Sequence, residues 1–255
     1  MILASHGIIG SQIVQVVYDV DYQAVLNYAT TQGYTLPSAS QQSLQNQLVV
    51  DLKTAGVWSK LDTFGVFATD GNSDFALIDW IRLTQYTAVN SPTFITNQGF
   101  KGNGTSSYID TNFNAAINGV NYTLNDASRY IYMYQIVTET RLDGDAVTAD
   151  NSMLGQTAIS HRINGGSFLS ASVDLTGTGF KSIHRVSSSN IVLFNNTTRS
   201  DRASNSNIIV NQKQFALRSI SVYNNGTVSA YSMGASLVDE NTDFVNAFDT
   251  YLTSL

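Results

Sequence analysis

Hydrophobic positions recur with a helical period near the start of the chain and at its end, and with a shorter period between. Tyr22, Val25, Leu26 and Ala29 fall at i, i+3, i+4 and i+7, one apolar stripe on a helix. Asp19 or Asp21 is placed to cap its start and Gly33 to stop it. Pro37 then breaks the backbone, and Ser38 with Gln41 has the spacing of a capping box. Leu44, Leu48, Leu52 and Ala55 carry a second stripe that ends at Gly56. The short link between the stripes predicts an antiparallel helical pair over residues 18–60. Phe244, Ala247, Phe248, Tyr251 and Leu252 repeat the spacing, with Asn241 or Thr242 as cap and Asp243 favourably set against the helix dipole. A C-terminal helix is therefore expected within 236–255, packed on the helical pair.

From about Val57 short apolar or alternating runs are separated by Gly, Asn, Asp and Ser clusters, which is the pattern of strands and turns. The candidate strands are Thr63–Thr69, Thr93–Thr96, Ser107–Thr111, Arg129–Thr138, Ser167–Val173, Phe180–Val186, Asn190–Phe194, Ile208–Val210, Phe215–Val222 and Thr227–Met233. Asn224-Asn225-Gly226 reads as a hairpin turn between the last two. Many short strands at close spacing predict a mainly β fold, an antiparallel two-sheet sandwich over 61–235. In Arg129–Thr138 both faces carry large apolar groups, so this strand should be central and covered on both sides. Residues 1–17 stand apart, uncharged and apolar-leaning. They read either as a strand laid on the domain or as an arm that docks on another chain.

Composition narrows the function classes. Charged residues are 13% of the 255, against a usual share of about 25%. The surface must then be carried by Asn, Ser, Thr, Gln and Gly. A net charge of −6 argues against nucleic acid as a partner, because binding it requires a basic face. The absence of cysteine excludes a disulfide framework, a thiolate nucleophile and a Cys-ligated metal. The N-terminal apolar run has no basic flank and is broken by Ser5, His6 and Gly7, unlike a signal peptide. No apolar stretch reaches about 18 residues, so no membrane-spanning helix is expected. The expectation is a protein made in a cytoplasm that stays soluble or assembles.

No catalytic constellation is legible. Only two glutamates, Glu139 and Glu240, are present, whereas glycoside hydrolysis generally needs two carboxylates flanking the bond. No aspartate lies in a recognisable acid motif, and no Glu-x-Asp-x-x-Glu string occurs. His6, His161 and His184 lack metal-ligand spacing, and Gly-x-Ser-x-Gly is absent. Gly102-Asn103-Gly104 and Gly177-Thr178-Gly179 read as turns, not phosphate loops. Asp143-Gly144-Asp145 with Asp150 suggests a calcium loop but lacks the later bidentate Glu of an EF-hand, and reads as a solvated turn. His161-Arg162 and His184-Arg185 read as exposed or sheet-face histidines in preference to an acid/base pair. The expectation is no enzyme, no cofactor, no metal and no assignable catalytic residue. Aromatics make up 11% of the chain, and tyrosine's apolar ring and polar tip suit sheet faces, oligomer contacts and sugar stacking alike. Trp58 should lock the helices to the sandwich, and Trp80 should pack. Asn72, Asp74, Asn195 and Asn196 are loop-tip candidates for sugar contact, each equally a turn former.

The stretch Gly99-Phe100-Lys101-Gly102-Asn103-Gly104-Thr105-Ser106-Ser107-Tyr108-Ile109-Asp110-Thr111-Asn112-Phe113 resembles the opening strands of concanavalin A-like, laminin-G-like jelly-roll domains. Phe180-Lys181-Ser182-Ile183-His184-Arg185, followed by Ile191-Val192-Leu193-Phe194-Asn195-Asn196, resembles their later hairpin, with Asn196 where Gly is common. Phe67-Ala68-Thr69-Asp70-Gly71, Asn90-Ser91-Pro92-Thr93-Phe94 and the pieces from Ser236-Leu237-Val238 to Tyr251-Leu252 look like phage structural proteins in which a helical pair precedes the sandwich and a helix closes it. The resemblance covers roughly residues 20–255. It implies a jelly-roll sandwich, a virion location after synthesis in a host cytoplasm, and a spike, fibre or head/tail appendage for host-surface attachment. It further implies virion-protein partners through residues 1–17, a host-surface glycan as target, and a homo-oligomer. The alternatives are a stand-alone carbohydrate-binding protein and, after it, a polysaccharide depolymerase.

Overall fold

The predicted helices form where their apolar stripes lie. In the computed structural model, which describes residues 17–137, 141–146, 153–154, 160–165, 169–170 and 175–255, helix α1 spans Val20–Gln32 and α2 spans Ala39–Thr54. The Asp19 carboxylate caps α1 by accepting from Asp21 N, and Gly33 ends it at φ 75°. Tyr22, Val25, Leu26 and Ala29 are the buried positions of α1. Helix α2 buries Leu48, Val49 and Leu52 together with two glutamines outside the apolar pattern, Gln41 and Gln45. Bonding explains them. Gln45 accepts from the Tyr22 hydroxyl at 2.8 Å and donates to Thr69 Oγ1 and the Tyr251 hydroxyl. The Ser38 hydroxyl caps α2 at Gln41 N, but the reciprocal half of the capping box is not made, because the Gln41 side chain turns to Asn97 and Thr69. The C-terminal helix α3, Asn241–Thr253, buries Phe244, Val245, Phe248 and Tyr251. Its cap position is Glu240, without a capping bond. Asn241 is instead spent on accepting from the Tyr130 hydroxyl and donating to Asn196 O, each at 3.0 Å.

The strands pair antiparallel into two main sheets. The large one runs in the order Thr198–Ala203, Asn190–Asn195, Gly179–Arg185, Ala127–Gln135, Thr227–Gly234, Leu61–Val66, Ile78–Asp79 and Thr84–Gln85, with Gly99–Lys101 and Thr93–Ile95 added beside the start of Thr227–Gly234. The small one runs Met153–Leu154, Arg141–Gly144, Phe215–Ala216, Tyr108–Asp110 and Thr87–Val89. Ile131, Met133, Ile183, Leu193 and Met233 of the large sheet pack against Ile109, Leu142 and Ala216 of the small one. On the large sheet's other face Phe64, Tyr130, Phe180 and Ala230 pack against Val25, Leu48, Leu52, Phe244 and Phe248 of the three helices. The chain is thus an antiparallel β-sandwich with helices on one outer face. Strand Ala127–Gln135 sends Tyr130 and Tyr132 to the helices and Ile131 and Met133 to the second sheet, covered on both sides as its pattern predicts. Trp80, 2% exposed, has its ring 5.6 Å from Tyr22 and 5.8 Å from Phe64, and half-buried Trp58 meets Phe64 edge-on.

Several expected elements differ. Ile208–Val210 is not a strand. Phe215–Val222 is not one strand: it breaks into Phe215–Ala216, Arg218–Ser219 and the start of Val222–Tyr223, because Leu217 and Ile220 take φ values of 64° and 54°. The tight turn falls at Ile220-Ser221, since Ser219 pairs with Val222. Asn224-Asn225-Gly226 closes no hairpin but forms an Asx turn, with Gly226 N donating to Asn224 Oδ1 at 2.6 Å. Asp143-Gly144-Asp145 is not a solvated turn: Asp143 and Gly144 belong to a buried strand, and Asp150 lies outside the described residues. Of Ser167–Val173 only residues 169–170 are described, as a strand paired with Ser160–His161. Thr198–Ala203, an edge strand with no apolar run, was not legible. Asn196 does turn the chain between Asn195 and Thr198 at φ 54°, the left-handed conformation that Asn tolerates. Of residues 1–17 only Val17 is described, and it is exposed.

Gly99 shows how closely two segments approach. Its φ is 108°, and a Cβ there would lie 2.0 Å from Val228 O. Gly99→Ala is expected to lower stability by about 1–3 kcal/mol or more, read as a lower urea midpoint at unchanged slope. An unchanged midpoint would contradict this register.

Candidate functional site

The helices occupy the outer face of the large sheet, and among the described residues no helix covers the Tyr108–Asp110 side of the small one. Alternation decides which residues stand on it. Ile109 pairs with Ala216, and both are fully buried in the core. Their neighbours Tyr108, Asp110 and Phe215 therefore point outward, joined by Thr87 and Val89, which pair with Asp110 and Tyr108. The turns at Leu217 and Ile220 bring Arg218 and Tyr223, cross-strand partners, onto the same cluster.

The result is an arginine among three rings. The Arg218 guanidinium carbon lies 4.5 Å from the Tyr108 ring centre, 4.9 Å from Phe215 and 5.4 Å from Tyr223. Tyr108 and Phe215 meet at 5.0 Å and 69°, and Tyr108 and Tyr223 at 6.1 Å. Phe215 is closed off at 6% exposure, whereas Tyr108, Arg218 and Tyr223 are half-buried with an outer edge in solvent. Arg218 Nε donates to Ile220 O at 3.0 Å. Among the described residues its two terminal nitrogens have no protein acceptor and no carboxylate partner, and the Tyr108 and Tyr223 hydroxyls bond no protein group. Beside them the polar groups are already matched. Lys213 Nζ lies 3.1 Å from Asp110 Oδ2 and donates to Asn112 Oδ1 at 2.7 Å, and Asn112 Nδ2 donates to Thr87 Oγ1 at 2.9 Å. Apolar ring surface next to unspent donors is what a sugar demands, with its C–H faces and its hydroxyls.

The other ionisable clusters are structural. His184 is fully buried between the Tyr130 and Phe194 rings. Its Nδ1 accepts from Leu237 N at 3.2 Å, which places the ring proton on Nε2, 3.1 Å from Ser182 Oγ. The imidazole therefore donates to the serine and does not withdraw its proton, the reverse of nucleophile activation. Burial holds its pKa down at about 3, with Arg199 adding to the effect, and holds His161 at about 4. The two are buried sheet residues, not exposed ones, and His6 lies outside the described residues. Asp143 meets Arg129 at 2.6 Å with neither side chain exposed. A cavity of about 390 Å³ is lined by Lys60, Asp126, Arg199, Asp239 and Glu240 among others. Its cations are matched internally, Lys60 by Glu240 at 2.5 Å and Arg199 by Asp201 at 2.7 Å, so it fastens the start of α3 to the sheet. Among the described residues no three His, Asp or Glu groups could hold a metal ion, and no helix is long and apolar enough to cross a membrane.

The loop-tip candidates make their bonds within the fold. Asn72 accepts from Phe75 N and donates toward Asp74 at 3.4 Å, while Asn195 takes the Lys181 ammonium at 2.6 Å and Asn196 donates to Thr178 O. Sequence reasoning did not single out Arg218 or Tyr223, because the stretch looked like one continuous strand with alternating faces. The only signal was an arginine flanked by Phe215 and Tyr223.

No family model and no curated protein matches the chain. Solved structures do. A mutant of Trypanosoma rangeli sialidase displaying trans-sialidase activity aligns with a TM-score of 0.46 and 11% identity over 84% of this chain and 40% of that one. Domain 4 of AbnA, a GH43 extracellular arabinanase from Geobacillus stearothermophilus in complex with arabinotriose, aligns with 0.42 and 16% over 73% of this chain and 98% of that one. The binding domain of botulinum neurotoxin DC, in complex with rat synaptotagmin II, aligns with 0.44 and 9% over 74% and 52%. The chain spans about two fifths of the length of the sialidase.

Proposed function

We propose that this chain is a carbohydrate-binding protein that grips a glycan on the outer face of its small sheet. One observation carries the reading: Tyr108 and Tyr223 offer half-buried rings, and hydroxyls that bond no protein group among the described residues, on a sheet face that the helices leave uncovered. A low-charge surface of Asn, Ser and Thr suits hydroxylated ligands. The reading is of binding and not of catalysis, in keeping with the inverted Ser182–His184 bond. The test is a glycan array followed by titration calorimetry. Tyr108→Ala and Tyr223→Ala are each expected to weaken the best ligand about tenfold or more, with unchanged circular dichroism. An array with no ligand, or variants that bind as the parent does, would reject the site. Release of reducing ends from a bound polysaccharide would move the protein to the hydrolases.

The sequence resemblance to phage structural proteins supports a setting for this binding: a homo-oligomeric virion appendage, attached to other virion proteins through residues 1–17 and presenting the sandwich to the host surface. Detection of the chain in purified particles, with its copy number, tests that setting independently of the glycan.

A further inference from the structure

Resting on the glycan reading, we infer that the sugar carries a carboxylate and that Arg218 is the residue that selects it. The guanidinium is already held in place by three rings and by its Nε bond to Ile220 O, so little ordering remains to be done when a ligand arrives. What it lacks among the described residues is an anion. Its terminal nitrogens have no protein acceptor among the described residues, and the acid on the same face, Asp110, is matched by Lys213. Two terminal N–H groups in a planar fork fit the two oxygens of a carboxylate.

The surroundings favour a single charge per sugar over a dense polyanion. The protein's net charge of −6 repels a densely charged chain, and Lys213, the cation beside Asp110, is engaged. Asp110 lies two residues along the strand from Tyr108, about 7 Å away by strand geometry, roughly one sugar ring. One residue can thus place its carboxylate on Arg218 and its hydroxyls near the Asp110–Lys213–Asn112 strip.

Titration calorimetry with trigalacturonate, sialyllactose and a hyaluronan tetrasaccharide, each beside its carboxyl methyl ester, tests this. For the uronate or sialoside that binds, the free acid is expected to bind at least tenfold tighter than its ester, and added salt should narrow the difference. Arg218→Gln should abolish the preference while binding of the ester persists, and Arg218→Lys should retain only part of it. Thermal melts establish that both variants fold. Equal binding of acid and ester, or an acid preference that survives Arg218→Gln, overturns the inference. Selection of sulfated over carboxylated sugars overturns it as well. Neutral sugars bound through Tyr108 and Tyr223 with no acid preference reject the carboxylate but keep the glycan reading; no sugar bound at all rejects both.

Discussion

Asp143→Ala is expected to destabilise the protein by about 3–5 kcal/mol, a third or more of the stability of a typical domain. The reason lies between the two sheets. Arg129 Nη2 and Asp143 Oδ2 are 2.6 Å apart with no solvent exposure on either side chain. Arg129 also stands 3.5 Å from the Tyr231 hydroxyl, while its Nε and Nη1 have no partner among the described residues. The interaction with Asp143 holds the arginine firmly charged despite its burial. Removing the carboxylate leaves a guanidinium stranded in an apolar core, which costs more than the pair itself contributes. The double replacement Arg129→Met with Asp143→Leu removes both charges and should recover most of the loss. Urea unfolding measures both. A single variant within about 0.5 kcal/mol of the parent would show that the pair is not buried as described.

The second large effect is loss of stability on mild acidification. His184 and His161 have folded pKa values near 3 and 4, against 6.5 when unfolded, and burial is the first cause in each. Above pH 6.5 both states are neutral, and the full stability is present. Below it the unfolded chain takes up protons that the folded chain refuses, so stability falls as pH falls, until about 4 for His161 and about 3 for His184. Two protons correspond to a limiting slope of about 2.7 kcal/mol per pH unit. The window from 6.5 to 5 lies above the ordinary carboxylate range; Asp249, whose pKa burial raises, works in the opposite direction. His184→Gln keeps an acceptor for Leu237 N and a donor for Ser182 and should reduce the slope by about one proton. A pH-independent urea midpoint across that window would refute the burial of both rings.

Legibility followed the range of the interactions. The stripes Tyr22–Ala29 and Phe244–Leu252, the Ser38 cap and the doubly covered strand around Tyr130 could be read because each depends on spacing within a few residues. Asp143 was misread because Asp-Gly-Asp is chemically a turn; it is buried in a strand that pairs with Phe215–Ala216, where Arg129, fourteen residues away, supplies a counter-charge. Gln41 and Gln45 were invisible as core for the same reason, since their partners Thr69 and Tyr251 come from distant parts of the chain.

The candidate site divides in the same way. Tyr108 and Asp110 could be placed on a strand from their own neighbours, but which face of that strand meets water could not. By itself the amino-acid sequence determined the three long helices, most of the long strands, the absence of cysteine chemistry and a surface poor in charge, because these are local or compositional properties. Only the tertiary structure decided that the helices cover the large sheet and not the small one, and that left-handed turns at Leu217 and Ile220 fold Arg218 and Tyr223 against Tyr108. Those outcomes depend on which apolar faces find each other across long loops, and no window along the chain contains both partners.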